Sequence, residues 1–180
     1  MWLLFIERRP PKVSRPRHGG LLTGACLGLL IGLIIVAAYF LIGGDMIDRE
    51  QIRAIASRSG FATPARFAML GVYFCTVNAL MEEYVWRWFV FRQWQTLTKG
   101  SFAGTLSIVL TAACFTIHHV VVLAAQFDPA VVWLGSAGVF TGGAVWSWCY
   151  LRFSSIWPGH ISHAIVDVAV MTVGALILFG

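Results

Sequence analysis

The chain has 180 residues, of which 58% are hydrophobic and 12% charged, against roughly 25% charged in a soluble domain. A mean hydropathy of +0.78, with apolar runs of bilayer-spanning length, excludes an ordinary soluble globule and predicts an all-α, polytopic transmembrane helix bundle with about five to six spans. The net charge of +5 is not a nucleic-acid signal: Arg8, Arg9, Lys12, Arg15 and Arg17 gather in the N-terminal tail and read as a cytoplasmic anchor on anionic lipid.

Two regions are expected, a basic cytoplasmic tail over residues 1–20 and a single membrane-embedded helical domain over 21–180. The apolar run at residues 1–6 is too short for a signal peptide and lies on the wrong side of the arginines, so the first span is expected to stay in the mature protein. That span covers about 21–42, with Gly24, Gly28 and Gly32 on one face for close helix packing. Residues 45–58 form a charged, partly amphipathic interfacial segment, broken by Gly60 and Pro64. The second span starts near Ala65, carries Glu82, Glu83 and Arg87, and is read as leaving the bilayer through an aromatic belt at residues 86–94. The third runs over about 102–125. The fourth, about 130–151, has Gly135, Gly138, Gly142 and Gly143 as a packing face. The fifth, about 156–178, holds His160, His163 and Asp167, and a sixth arises if the interfacial segment or the long second helix divides. Cys26, Cys75, Cys114 and Cys149 each fall in a different apolar run, without CxxC spacing, and read as packing residues. With a cytoplasmic N-terminus, nine of the thirteen Lys and Arg lie on the cytoplasmic side; Arg49, Arg53, Arg58 and Arg66 lie opposite.

Ionisable residues within the spans carry the chemistry. A charge at bilayer depth costs roughly 2.5–3.5 kcal/mol on insertion scales, so several of them in apolar helices predict one shared buried site. At about 100° per residue, Glu83 and Arg87 share a helix face and pair, while Glu82 sits about 140° from Arg87 and is left free as a general base. Asp167, four residues after His163, is placed to orient it. His119 shares a face with Phe115, and His118 points away as a packing or interfacial histidine. Glu82, His119, His163 and Asp167 together suit activation of water for acyl-group hydrolysis. Two histidines and a carboxylate also describe a zinc set, but there is no HExxH and the ligands come from three separate helices, so neither metal nor cofactor is expected.

At these residues the chain resembles the CPBP family of glutamic-type intramembrane proteases, which includes CAAX prenyl proteases and bacteriocin-processing, Abi-like homologues. Glu82-Glu83-Tyr84-Val85-Trp86-Arg87 matches EExxxR, Phe115-Thr116-Ile117-His118-His119 matches FxxxH, and His163-Ala164-Ile165-Val166-Asp167 matches the third motif. Ser155-Ile156-Trp157-Pro158 looks like the family's lead-in to it, and the likeness spans residues from about 65 to 170. The resemblance implies a metal-independent protease in which Glu82 and His119 activate water, His163 and residue 167 stabilise the oxyanion, and Glu83 with Arg87 brace the site. The third motif here ends in Asp where the family often has Asn. Asp donates a hydrogen bond only when protonated, so Asp167 either serves the oxyanion or orients His163.

The resulting expectation is an intramembrane endopeptidase of the cell membrane. Its partners are the lipid bilayer and a membrane-associated peptide or protein substrate, prenylated or carrying a C-terminal sorting or leader peptide, with no nucleic acid. Two rivals use the same residues: a non-catalytic immunity or scaffold protein of this fold, and an ion- or proton-coupled transporter, whose mark is a helix broken at mid-membrane. One feature of the pattern conflicts with convergence. His119 lies about 17 residues into its span and His163 about 7 into its own, an axial offset of roughly 15 Å between helices expected to run parallel.

Overall fold

Proline and glycine set the helix boundaries in the computed structural model, which describes residues 15–44 and 46–180. Six helices form: α1 at Gly20–Ala38, continuing in wider π-type turns to Gly43; α2 at Arg49–Arg58; α3 over residues 64–97; α4 at Ala103–Ala124; α5 at Pro129–Phe153; and α6 at Trp157–Phe179. Prolines stand in the first turn of α3, α5 and α6, where a missing N–H costs nothing. The Asp48 carboxylate caps α2 by accepting the Gln51 N–H at 3.0 Å. Gly60 and Gly100 take positive φ angles, +79° and +92°, in the turns that precede α3 and α4.

The fold is an all-α bundle with no strand among the described residues. Four helices, α1, α4, α5 and α6, are long and apolar enough to cross a bilayer. Helix α3 is about 50 Å long at 1.5 Å per residue and adds a fifth by length, but it carries Glu82, Glu83 and Arg87 at its centre. It neither breaks nor divides. It stays helical through two π-type stretches, Phe74–Asn78 and Tyr84–Phe91, so the broken helix expected of a transporter is not found here. Helix α2 has no buried residue and does not become a span.

Helix α1 lies along α6 through its small residues. Gly20, Gly24, Gly28 and Gly32 are all buried. A methyl group on Gly24 would run into the Pro158 carbonyl, and one on Gly28 would come 2.8 Å from the Ser162 carbonyl. Overpacking of this kind costs about 1–3 kcal/mol or more. We therefore expect Gly24→Val to lower the thermal midpoint in detergent by several degrees. Gly138→Ala, which has nothing within 4 Å, is expected to leave it unchanged, and equal midpoints for the two variants would refute the packing role. The glycines of α5 are not one packing face. Gly143 meets Ala112 and Phe115 of α4, and Gly135 meets Leu123, but Gly138 faces open space.

The two ends of the bundle differ in charge. The Arg17 N–H donates to the Phe153 carbonyl at 3.3 Å, joining the start of α1 to the end of α5. This end carries Arg15, Arg17, Arg92, Lys99 and Arg152 and, among the described residues, no acid. At the other end Gln51 Nε2 donates to the Gln126 carbonyl at 3.2 Å, and Arg49, Arg53, Arg58 and Arg66 mix with Asp48, Glu50 and Asp128. Arg8, Arg9 and Lys12 of the basic tail lie outside the described residues.

In the aromatic run of α3, Trp88 and Phe91 are buried, Trp86 packs edge-on against Phe115 with centroids 5.6 Å apart, and Phe89 and Arg92 are exposed. The π-type turns around them change the angle per residue and so change which side chains face inward.

Candidate active site

Helix α3 supplies Asn78, Glu82, Glu83 and Arg87 from one stretch, with the short α-helical piece Ala79–Glu83 held between the two π-type stretches. Such stretches recur at functional sites because they re-aim side chains without ending the helix. Glu83 and Arg87 are fully buried and form an ion pair, Oε1 to Nη2, at 3.2 Å. The Arg87 guanidinium also lies 4.9 Å from the Phe115 ring centroid and 5.4 Å from that of Trp146, so its charge is met by a carboxylate and two π faces. Gly159 of α6 makes room for this carboxylate, since a side chain there would overlap Glu83 Oε2.

Helix α6 brings His163 onto the same carboxylate. His163 Nδ1 is 3.1 Å from Glu83 Oε1, and because a carboxylate accepts, Nδ1–H is the donor. On the other side of the ring, Nε2 stands 3.6 Å from Glu82 Oε2 and 3.7 Å from Asp167 Oδ1. Trp146 of α5 lies flat against the imidazole, with centroids 3.9 Å apart and planes at 14°, and its indole N–H donates to Ser162 Oγ at 3.0 Å. The ring is thus fixed by a hydrogen bond at one edge and a stacked indole on one face. Its orienting hydrogen bond goes to Glu83. Asp167, the sequence-based choice for that task, shares Nε2 with Glu82 from beyond hydrogen-bond distance.

Glu82 is half-buried and makes no ion pair with Arg87. Its Oε1 accepts from Asn78 Nδ2 at 3.1 Å, while Oε2 is buried and accepts no hydrogen bond from the described residues. His119 packs against Phe115, with ring centroids 4.3 Å apart, and the Phe115 ring meets His163 edge-on at 6.2 Å. The Phe115 carbonyl accepts from His119 Nδ1 at 2.9 Å, which makes Nε2 the available nitrogen. His118 is exposed and touches Trp86 and His119 ring to ring. His160 sits in the first turn of α6 against Trp157.

The sequence offset between His119 and His163 is bridged by side chains. Helices α4 and α6 both pack on α5. Phe115, one turn nearer than His119 to the start of α4, fills the interval, its ring centroid 4.3 Å from His119 and 6.2 Å from His163.

The arrangement places a carboxylate oxygen with a spare lone pair beside an imidazole held by a hydrogen bond at one edge and a stacked indole on one face. It gives the neighbouring carboxylate over to a buried cation. Among the described residues no three His, Cys, Asp or Glu are grouped so as to hold a metal ion. An apolar recess of about 430 Å³ runs between α3 and α6 along Gly71, Cys75, Thr76, Val168 and Thr172. Sequence reasoning missed Asn78, Trp146 and the contact of Glu83 with His163. Of these only Asn78 had a sequence signal, a polar residue four before Glu82 in an apolar run.

Comparison with known proteins agrees with the family resemblance. No curated protein and no solved structure matches the chain. The family described as type II CAAX prenyl endopeptidase Rce1-like matches residues 64–169, from the first turn of α3 into the middle of α6. That match covers more than half of the sequence, and by it the chain belongs to the Rce1-like type II CAAX prenyl endopeptidases, a family of multi-pass membrane proteases.

Proposed function

We propose that this protein is a glutamic-type intramembrane endopeptidase that hydrolyses a peptide bond close to the membrane anchor of a lipid-modified peptide or protein. The observation that carries the reading is the division between the adjacent glutamates. Each keeps an Oε2 without a hydrogen bond among the described residues, but Glu83 is paired through Oε1 with Arg87 and His163 and turns Oε2 to Gly159, while Glu82 has no pair with Arg87 and sets Oε2 3.6 Å from His163 Nε2. In this reading water lies between Glu82 and His119 and attacks the carbonyl carbon. Its proton passes to the Glu82 carboxylate and then to the leaving amine as the C–N bond breaks. His163 faces the developing oxyanion with Nε2, which donates when both ring nitrogens carry protons, and Glu83 holds the ring in place through Nδ1.

The substrate class follows from family membership together with the position of the site inside the bundle. A scissile bond reaches such a site when it lies near a membrane anchor, which fits a prenylated C-terminus and, as the related case, a leader or sorting peptide. The wholly basic end of the bundle, where α1 and α6 begin, supports a cytoplasmic N-terminus in the cell membrane. The test is cleavage of a prenylated peptide in liposomes, with its unmodified counterpart as control. We expect preference for the prenylated peptide and full activity in excess chelator. Activity lost on chelation and restored by zinc would overturn the metal-free mechanism, and failure to cleave any membrane-anchored peptide would overturn the protease assignment.

A further inference from the structure

Three carboxylates, Glu82, Glu83 and Asp167, gather around His163, and Arg87 is the buried cation among them. Arg87 pairs with Glu83. Glu82 therefore depends on neutral donors and on the histidines for its stabilisation. Asn78 supplies one such donor. A carboxylate only accepts, so the amide nitrogen of Asn78 must face it, and Nδ2 lies 3.1 Å from Glu82 Oε1. An amide in an apolar span is expensive, and its usual justification is a hydrogen bond to another helix. Asn78 instead bonds within α3, so the contact adds nothing to the association of helices. What it does is hold one oxygen of Glu82 and leave the other, buried and without a hydrogen bond, on the side of His163.

From this geometry we infer that Asn78 is a positioning residue for the general base: it ties Oε1 of Glu82 so that Oε2 is the oxygen presented to the water. The inference rests on Glu82 being that base. Asn78 is the last residue of the π-type stretch Phe74–Asn78, and Glu82 falls in the α-helical piece that follows, so the change of pitch sets the register between them.

The experiment compares Asn78→Leu, Asn78→Asp and Asn78→Gln for kcat, KM and thermal midpoint in one detergent, with Glu82→Gln alongside. Leucine removes the donor at similar size. Aspartate keeps the shape and cannot donate when ionised. Glutamine keeps a donor able to reach four residues along a helix. We expect kcat to fall about 100-fold for Leu and Asp, the scale of a misplaced catalytic group, with KM and midpoint near wild type. Glutamine is expected to hold kcat within tenfold of wild type. A Leu or Asp variant with wild-type kcat would overturn the inference, as would a Gln variant as inactive as the other two. If the Leu variant fails to fold, the Asp variant decides alone. Turnover retained by Glu82→Gln would instead sink the base assignment on which the inference rests, a result separate from every Asn78 arm.

Discussion

Replacing Glu82 by glutamine is expected to lower kcat by about 1000-fold, within the range a general base contributes, while the fold stands. The fold should stand because Glu82 carries little of it. Its hydrogen bond comes from Asn78, and a glutamine oxygen accepts that bond equally well. No buried cation is left without a partner, since Arg87 pairs with Glu83. The measurement is turnover of a membrane-anchored peptide in liposomes beside the thermal midpoint of the same preparation. Comparing membrane peptides from cells that carry wild type or Glu82→Gln extends it, because a product lost in the variant names the substrate. Wild-type turnover by Glu82→Gln would remove Glu82 from the chemistry.

Much of the architecture could be read in the sequence because a bilayer constrains it severely. Lipid demands satisfied backbones and apolar spans, so glycine, proline and charge placement fix most helix boundaries within a few residues. Helix arithmetic alone paired Glu83 with Arg87 and turned Glu82 away, and in the structure Glu83 makes that ion pair while Glu82 bonds to Asn78. Contacts between helices were harder to read. Trp146 carries no motif and reaches His163 only because α5 lies between α4 and α6. Glu83 looked like a brace because one helix shows only its partner four residues on, while its second partner, His163, comes from 80 residues further along the chain.

Glu83→Gln and Arg87→Ala are each expected to reduce yield and lower the thermal midpoint, because breaking a buried ion pair typically costs about 3–5 kcal/mol. Arg87→Ala also empties the space between Phe115 and Trp146 and leaves the Glu83 carboxylate buried with His163 as its remaining close partner. Glu83→Gln leaves a fully buried guanidinium without its counter-charge and weakens the hydrogen bond that orients His163. The double variant Glu83→Gln/Arg87→Met separates these effects. With neither charge present and the volume roughly kept, it should be more stable than either single variant, a coupling that a double-mutant cycle measures directly. Its turnover should not recover, because His163 still faces an amide where it had a carboxylate on Nδ1. Stability and activity returning together in the double variant would reduce Glu83 to a counter-ion. If Glu82→Gln unfolds the protein while Glu83→Gln stays stable and inactive, the roles of base and brace are the reverse of those argued here.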